Sequence, residues 1–99
     1  MKSKAIMVNP KDNVATALID IKKEEVVEIR APTLLSIKAK SNIPFGHKFA
    51  IKDISKGEEI VKYGEVIGRA IKEIREGEHV HIHNVESLRA RGDVVAAKQ

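Results

Sequence analysis

The chain has no cysteine, and its aromatic residues stop at one tyrosine and two phenylalanines. The first absence excludes disulfides, thiolate metal ligands and a cysteine nucleophile, and leaves histidine and oxygen as the available ligands. The second means that the core is built from Ile, Val, Ala and Leu, a composition that favours strands. It also removes the stacking platforms that sequence-tolerant binding of single-stranded bases requires. No long apolar run occurs, and the opening MKSKAIMVNPKDN lacks the pattern of a leader, so neither a signal peptide nor a membrane span is expected. With no call for an oxidising compartment, a cytoplasmic location follows. A block of like charge is missing too. The net charge is +4, but lysines and arginines are interleaved with acids, as in IKKEEVVEIR and IKEIREGE, which argues against nucleic acid as a partner.

What is present is a chain of 99 residues, 42% hydrophobic and 32% charged, the make-up of one small folded domain. At this size folding buries roughly 60–70% of the surface, so the core is modest. One pattern occurs three times: ALIDIKKEEVVEI from Ala17, AIKDISKGEEIVKY from Ala50 and AIKEIREGEHVHIH from Ala70. Each has Ala, an apolar residue, any residue, an acid, Ile, two polar residues, a turn, then Glu and an alternating run. Alternation with period two predicts strands with one buried face, and Gly57 and Gly77 fall where a turn needs positive φ. Another strand is expected around Leu34 to Ala39, and YGEVIGRAI from Tyr63 leaves room for one helical turn. These units predict a compact all-β domain over residues 1–86, followed by a polar tail over 87–99.

The third unit carries most of the candidate chemistry, since three of the four histidines fall in GEHVHIHN. Alternation assigns Val80 and Ile82 to the core face and His79, His81 and His83 to the other. Neighbours two apart on a strand are about 6.6 Å apart and can share one metal at about 2.1 Å, whereas the outer pair would be ~13 Å apart. One adjacent pair is thus a metal fragment; the alternative is the solvated face of an edge strand. In IPFGHKFA, Pro44 and Gly46 form a turn presenting His47, suited to proton transfer near neutral pH, and Lys48, suited to a carboxylate or phosphate. Lys62 lies beside Tyr63 and Glu65. Arg89 and Arg91, in the tail, are placed to clamp an anion.

In this order, DNVATAL, IPFGHKFAIKDISKGEEIVKYGEVIGRA and GEHVHIHNVESLRARGD closely resemble the small subunit, or N-terminal domain, of the altronate dehydratase family of sugar-acid hydro-lyases. The resemblance covers nearly the whole chain. It extends to the small subunit of sulfolactate sulfo-lyase, which has similar GHK and HxHN segments and expels sulfite in place of water. It implies a SAF domain of the β-clip class and iron(II), or manganese(II) in its place. It further implies a separate large catalytic subunit, without which this chain is inactive, and a sugar-acid substrate. On that footing His81 and His83 are the expected metal ligands, and His47 and His79 take catalytic proton-transfer roles. Lys48, Lys62, Asn84 and Arg89 hold the substrate. Assembly with further copies of itself is compatible with these expectations, as is a non-catalytic assembly module, because a fold does not fix a function.

Overall fold

The computed structural model describes residues 3–31 and 34–87. Among them the alternating stretches form β1 (Ala5–Ile6), β2 (Val14–Ala17), β3 (Val26–Arg30), β4 (Leu35–Lys38), β5 (Lys48–Ala50), β6 (Glu59–Lys62), β7 (Glu65–Ala70), β8 (His79–Val80) and β9 (Val85–Ser87), with no helix. The domain is all-β, as the composition predicts. β3 shows the cause: Val27 and Ile29 are fully buried, while Val26 and Arg30 at its ends are exposed. The helical turn allowed from Tyr63 is absent. Tyr63 and Gly64 instead form the two-residue loop of the β6–β7 hairpin, both with positive φ (55° and 78°), and Lys62 pairs with Glu65 across it.

One sheet has six strands in the order β4-β3-β1-β2-β5-β8, with β1 and β3 parallel and the other neighbours antiparallel; a second has the order β6-β7-β9. β2 and β5 pair through Ala15 with Phe49 and Val14 with Ala50, and successive side chains point to opposite faces. Phe49 and Ala15 therefore enter one apolar cluster with Ile21, Val27, Ile29 and Ile43, while Val14 and Ala50 enter a second with Ile54, Ile60, Ile74 and Val80. The two sheets are joined by a side chain acting as a length of backbone. Asn13, 3% exposed, accepts from the Val61 N–H through Oδ1 (2.8 Å) and donates from Nδ2 to the Glu59 carbonyl (2.8 Å), closing the edge of β6. Its neighbour Asp12 accepts from the Gly64 N–H (2.8 Å). DNVATAL thus owes its polar pair to sheet-to-sheet attachment.

The repeated units fold alike, and there is a fourth at residues 39–47. Units 17–25 and 39–47 pair with each other, as do 50–58 and 70–78, with Ile21 opposite Ile43 and Ile54 opposite Ile74. Each isoleucine pair exchanges both backbone hydrogen bonds, at 2.7–2.9 Å. Three residues on, a positive-φ residue, Glu24, Gly46, Gly57 or Gly77, donates its N–H to the partner unit's alanine carbonyl. Asp20, Asn42 and Asp53 accept from the backbone N–H of Phe45, Lys23 and Glu76 in the partner turn, which accounts for the acid or amide before Ile21, Ile43 and Ile54. Such pairing satisfies buried backbone groups where no regular ladder runs.

Candidate metal and anion site

His47 owes its freedom to a proline. In the other units the backbone N–H of Lys22, Ser55 or Arg75 is satisfied by the carboxylate three residues later, from Glu25, Glu58 or Glu78, at 3.0, 2.9 and 2.7 Å. The corresponding residue in the fourth unit is Pro44, which has no N–H. Residue 47 then has no turn to cap, and a histidine stands where the others have glutamate. These departures hid the fourth repeat in the sequence; its surviving signal was the Ala39–Ile43 spacing followed by Gly46.

The strand expected through His83 ends early. β8 stops at Val80, and residues 81–84 turn, with the N–H groups of Asn84 and Val85 both directed to the His81 carbonyl at 3.1 and 3.0 Å. Asn84 is the cause: its side chain accepts from the His81 N–H and donates to the His79 carbonyl, each at 2.9 Å, and the residue is 4% exposed. A side chain that captures nearby backbone competes with the sheet ladder. Ile82, expected in the core, consequently sits at the turn's tip at 81% exposure. The side chain of Asn84, expected from sequence to contact substrate, is engaged with backbone on both its oxygen and its nitrogen.

Folding the segment back changes which histidines meet. Antiparallel pairing of β5 with β8 sets Phe49 opposite His79 and brings His47 alongside. His47 Nδ1 and His79 Nε2 are 2.9 Å apart, and ligand nitrogens of His47, His79 and His81 all lie within 4.8 Å of one another. Two donors at about 2.1 Å from one ion are themselves roughly 3.0–3.4 Å apart, so small side-chain rotations bring this trio onto a single divalent cation. The expected pair was His81 with His83. The structure groups His81 with His47 and His79, and leaves the exposed His83 with its ring 5.4 Å from that of His79. His79 also borders a recess of about 190 Å³ containing Glu73, Glu78 and His83.

Crowded imidazoles resist protonation. Burial, followed by the positive charges of His47, His83, His81 and Lys48, pushes His79 down to about 4. Burial, with His47, Lys48 and His83, also lowers His81. Neutral imidazole is the form that binds metal, so the setting favours occupation at neutral pH.

On the other side of His81 opens a cleft of about 390 Å³, lined by Lys48, Lys62, Tyr63 and Glu65 and by an apolar wall of Ile67, Ile82 and Val85. Lys48 lies on the opposite face of β5 from Phe49 and is lowered below the ordinary lysine range by burial and by the Lys62 ammonium. Lys62 also lies over the Tyr63 ring, 5.0 Å from its centre. The two lysines expected to hold an anion therefore share one cleft beside the histidine trio. Arg89 and Arg91 lie outside the described residues. Ser87, read from sequence as the first residue of the tail, is the last residue of β9, which pairs with β7.

Fold and site together define a small all-β module that carries a three-histidine cluster and a basic cleft. The family described as altronate/galactarate dehydratase SAF domain matches residues 3–88, and the chain belongs to it. It is 49% identical over 55 residues to the (2R)-sulfolactate sulfo-lyase subunit alpha of Chromohalobacter salexigens, covering 56% of this chain and 58% of that one. It is 42% and 39% identical over 82 residues to the altronate dehydratases of Bacillus subtilis and Escherichia coli, covering 83% of this chain and 16% of each of those. The chain thus spans a little over half of that sulfo-lyase subunit and about a sixth of those dehydratases.

Proposed function

We propose that this chain is the SAF component of a metal-assisted lyase of the altronate dehydratase type, acting on a hydroxy acid together with a larger catalytic chain. The observation that carries this reading is the meeting of His47, His79 and His81 beside a cleft holding Lys48 and Lys62. Removing a weakly acidic proton next to a carboxylate, and a leaving group from the neighbouring carbon, requires charge stabilisation on the carboxylate side. Lys48 and Lys62 bind and orient that carboxylate. His47, His79 and His81 form the ligand set, and their all-nitrogen character suits iron(II) better than manganese(II). When bound, the ion supplies Lewis-acid stabilisation of the charge that grows on the carboxylate. Asn84 fixes the backbone on which two of the ligands ride, and Ile67, Ile82 and Val85 exclude water from one wall. With three protein donors, the site is finished by substrate, water or the larger chain.

The leaving group distinguishes two readings. Loss of water from a sugar acid such as altronate follows the dehydratase relatives; loss of sulfite follows the sulfo-lyase subunit, which is favoured by its 49% identity. The test is to co-purify the chain with its large lyase partner, then measure metal content and turnover on altronate and sulfolactate. His47→Ala and His81→Ala should each remove most of the metal and the turnover, while His83→Ala retains the metal. A complex whose turnover survives both of the first two changes would show a non-catalytic assembly module.

A further inference from the structure

His83 is the histidine that the trio leaves out, yet its ring stands as near to His79 as that of His81 does. The ring centres of His79 and His83 are 5.4 Å apart, and those of His79 and His81 are also 5.4 Å apart. His47 lies 5.1 Å from His79 and 4.5 Å from His81 on the same measure. Two imidazoles bound at about 2.1 Å to one tetrahedral ion have ring centres roughly 5 Å apart. His83 thus already has the spacing of a co-ligand with respect to one member of the trio.

The turn at residues 81–84 brings it there. In a straight strand His83 would be ~13 Å along from His79. The Asn84 amide instead donates to the His79 carbonyl at 2.9 Å and folds residue 83 back over its own strand. The His83 ring is exposed, and its side chain has no hydrogen bond or ion pair among the described residues. With His79 it borders the recess of about 190 Å³, which leaves the ring room to turn. Exposed side chains change rotamer within nanoseconds, so nothing in the fold slows its movement toward an ion or away from one.

We infer that His83 is an exchangeable fourth ligand, which closes the coordination of an ion held by His47, His79 and His81 and gives up its position to an incoming hydroxy acid. This rests on the ligand set proposed above and adds its regulation. An ion with four protein ligands is closed, as in structural sites, whereas one with three keeps a position for chemistry. His47, His79 and His81 are partly buried, on backbone held by strand pairing or by the Asn84 clamp. His83 is therefore the ligand that leaves at least cost.

The test is titration of the purified chain with Zn²⁺ against a chromophoric chelator, and with Co²⁺ read by its visible spectrum, which reports coordination number. Wild type should bind one ion with a four-coordinate Co²⁺ spectrum. His83→Ala and His83→Gln should still bind one ion, about tenfold or more weakly, equivalent to about 1.4 kcal/mol. Lactate, which chelates through its carboxylate and hydroxyl, should bind the Co²⁺-loaded variants about tenfold more tightly than wild type, since no tethered imidazole competes. Free imidazole at about 10 mM, near the effective concentration of a tethered ligand, should restore the wild-type spectrum to His83→Ala. A merely structural role for His83 would not move metal and lactate affinity in opposite directions. Unchanged Zn²⁺ affinity in both variants, equal lactate affinity in variant and wild type, or no ion bound by wild type would each overturn the inference. Metal lost from His47→Ala and His81→Ala but not weakened in His83→Ala would fail the fourth ligand alone and leave the lyase reading intact. Opposed shifts in the chain with no turnover in the complex would instead fail the lyase reading alone.

Discussion

Asn84→Ala is the perturbation that most directly tests how the site is built. The residue is 4% exposed, and its side chain makes two 2.9 Å hydrogen bonds, one from the His81 N–H and one to the His79 carbonyl. Truncation leaves a donor and an acceptor without partners in a nearly closed setting, at about 1–3 kcal/mol for each group left unmade. Partial access of water to a turn reduces that, so the expected loss is about 2–4 kcal/mol, read as a lower urea midpoint with an unchanged slope. Both affected backbone groups belong to histidines of the trio, so loss of the clamp also releases the ligand geometry. Divalent-metal affinity should fall by about 10–100-fold, the usual effect of removing a group that orients a ligand. Asn84→Asp separates the two bonds, since a carboxylate keeps the acceptor for the His81 N–H and loses the donor to His79. It should bind metal with affinity between wild type and Asn84→Ala. If Asn84→Ala changes stability by less than about 0.5 kcal/mol and metal affinity by less than about twofold, the clamp argument is wrong.

Two other outcomes follow from local backbone and charge. Glu24 holds φ at 77° where the equivalent residues of the other units are Gly46, Gly57 and Gly77, and its pair with Lys38 at 3.0 Å is solvent-exposed. The left-handed conformation costs a non-glycine residue roughly 1–2 kcal/mol, which exceeds the unfolded-chain entropy of glycine plus a weak surface pair. Glu24→Gly should therefore stabilise the chain by about 0.5–1 kcal/mol in urea unfolding, and a loss of more than about 1 kcal/mol would contradict the shared turn geometry. In metal-free protein, His79 has its folded value near 4 against 6.5 when unfolded. The unfolded chain takes up the proton first as pH falls, so stability is complete above about 6.5 and declines toward 4, where the folded form protonates as well. His79 accounts for on the order of 1–2 kcal/mol of that decline once solvent screening is allowed for. His79→Gln should flatten this pH dependence, measured as urea midpoints from pH 7 to pH 4.5, and an unaltered slope would refute the assignment.

The repeat shows how far local pattern carries and where it stops. Residues 17–25, 50–58 and 70–78 announce themselves because Glu25, Glu58 and Glu78 perform the same capping task in each. Residues 39–47 have the same backbone construction, but Pro44 abolishes the donor and with it the reason for a glutamate. The unit that departs from the pattern is the one that supplies a histidine to the site.

By itself, the sequence determined the all-β class, the glycines of the turns, the core alternation of β3 and β4 and the concentration of histidine near the end. Those features are set by φ/ψ preference and by which face is buried, both written over a few adjacent residues. The motifs also carried the family resemblance that the match over residues 3–88 bears out. Tertiary structure alone decided which histidines meet. His47 is 32 residues from His79 along the chain, and their 2.9 Å approach exists because β5 and β8 pair in one register. The straight strand implied by HVHIH gives way to a turn because a buried amide, Asn84, captures the backbone on either side of Val80. That competition between side chain and ladder is settled by burial, which no short stretch of sequence encodes.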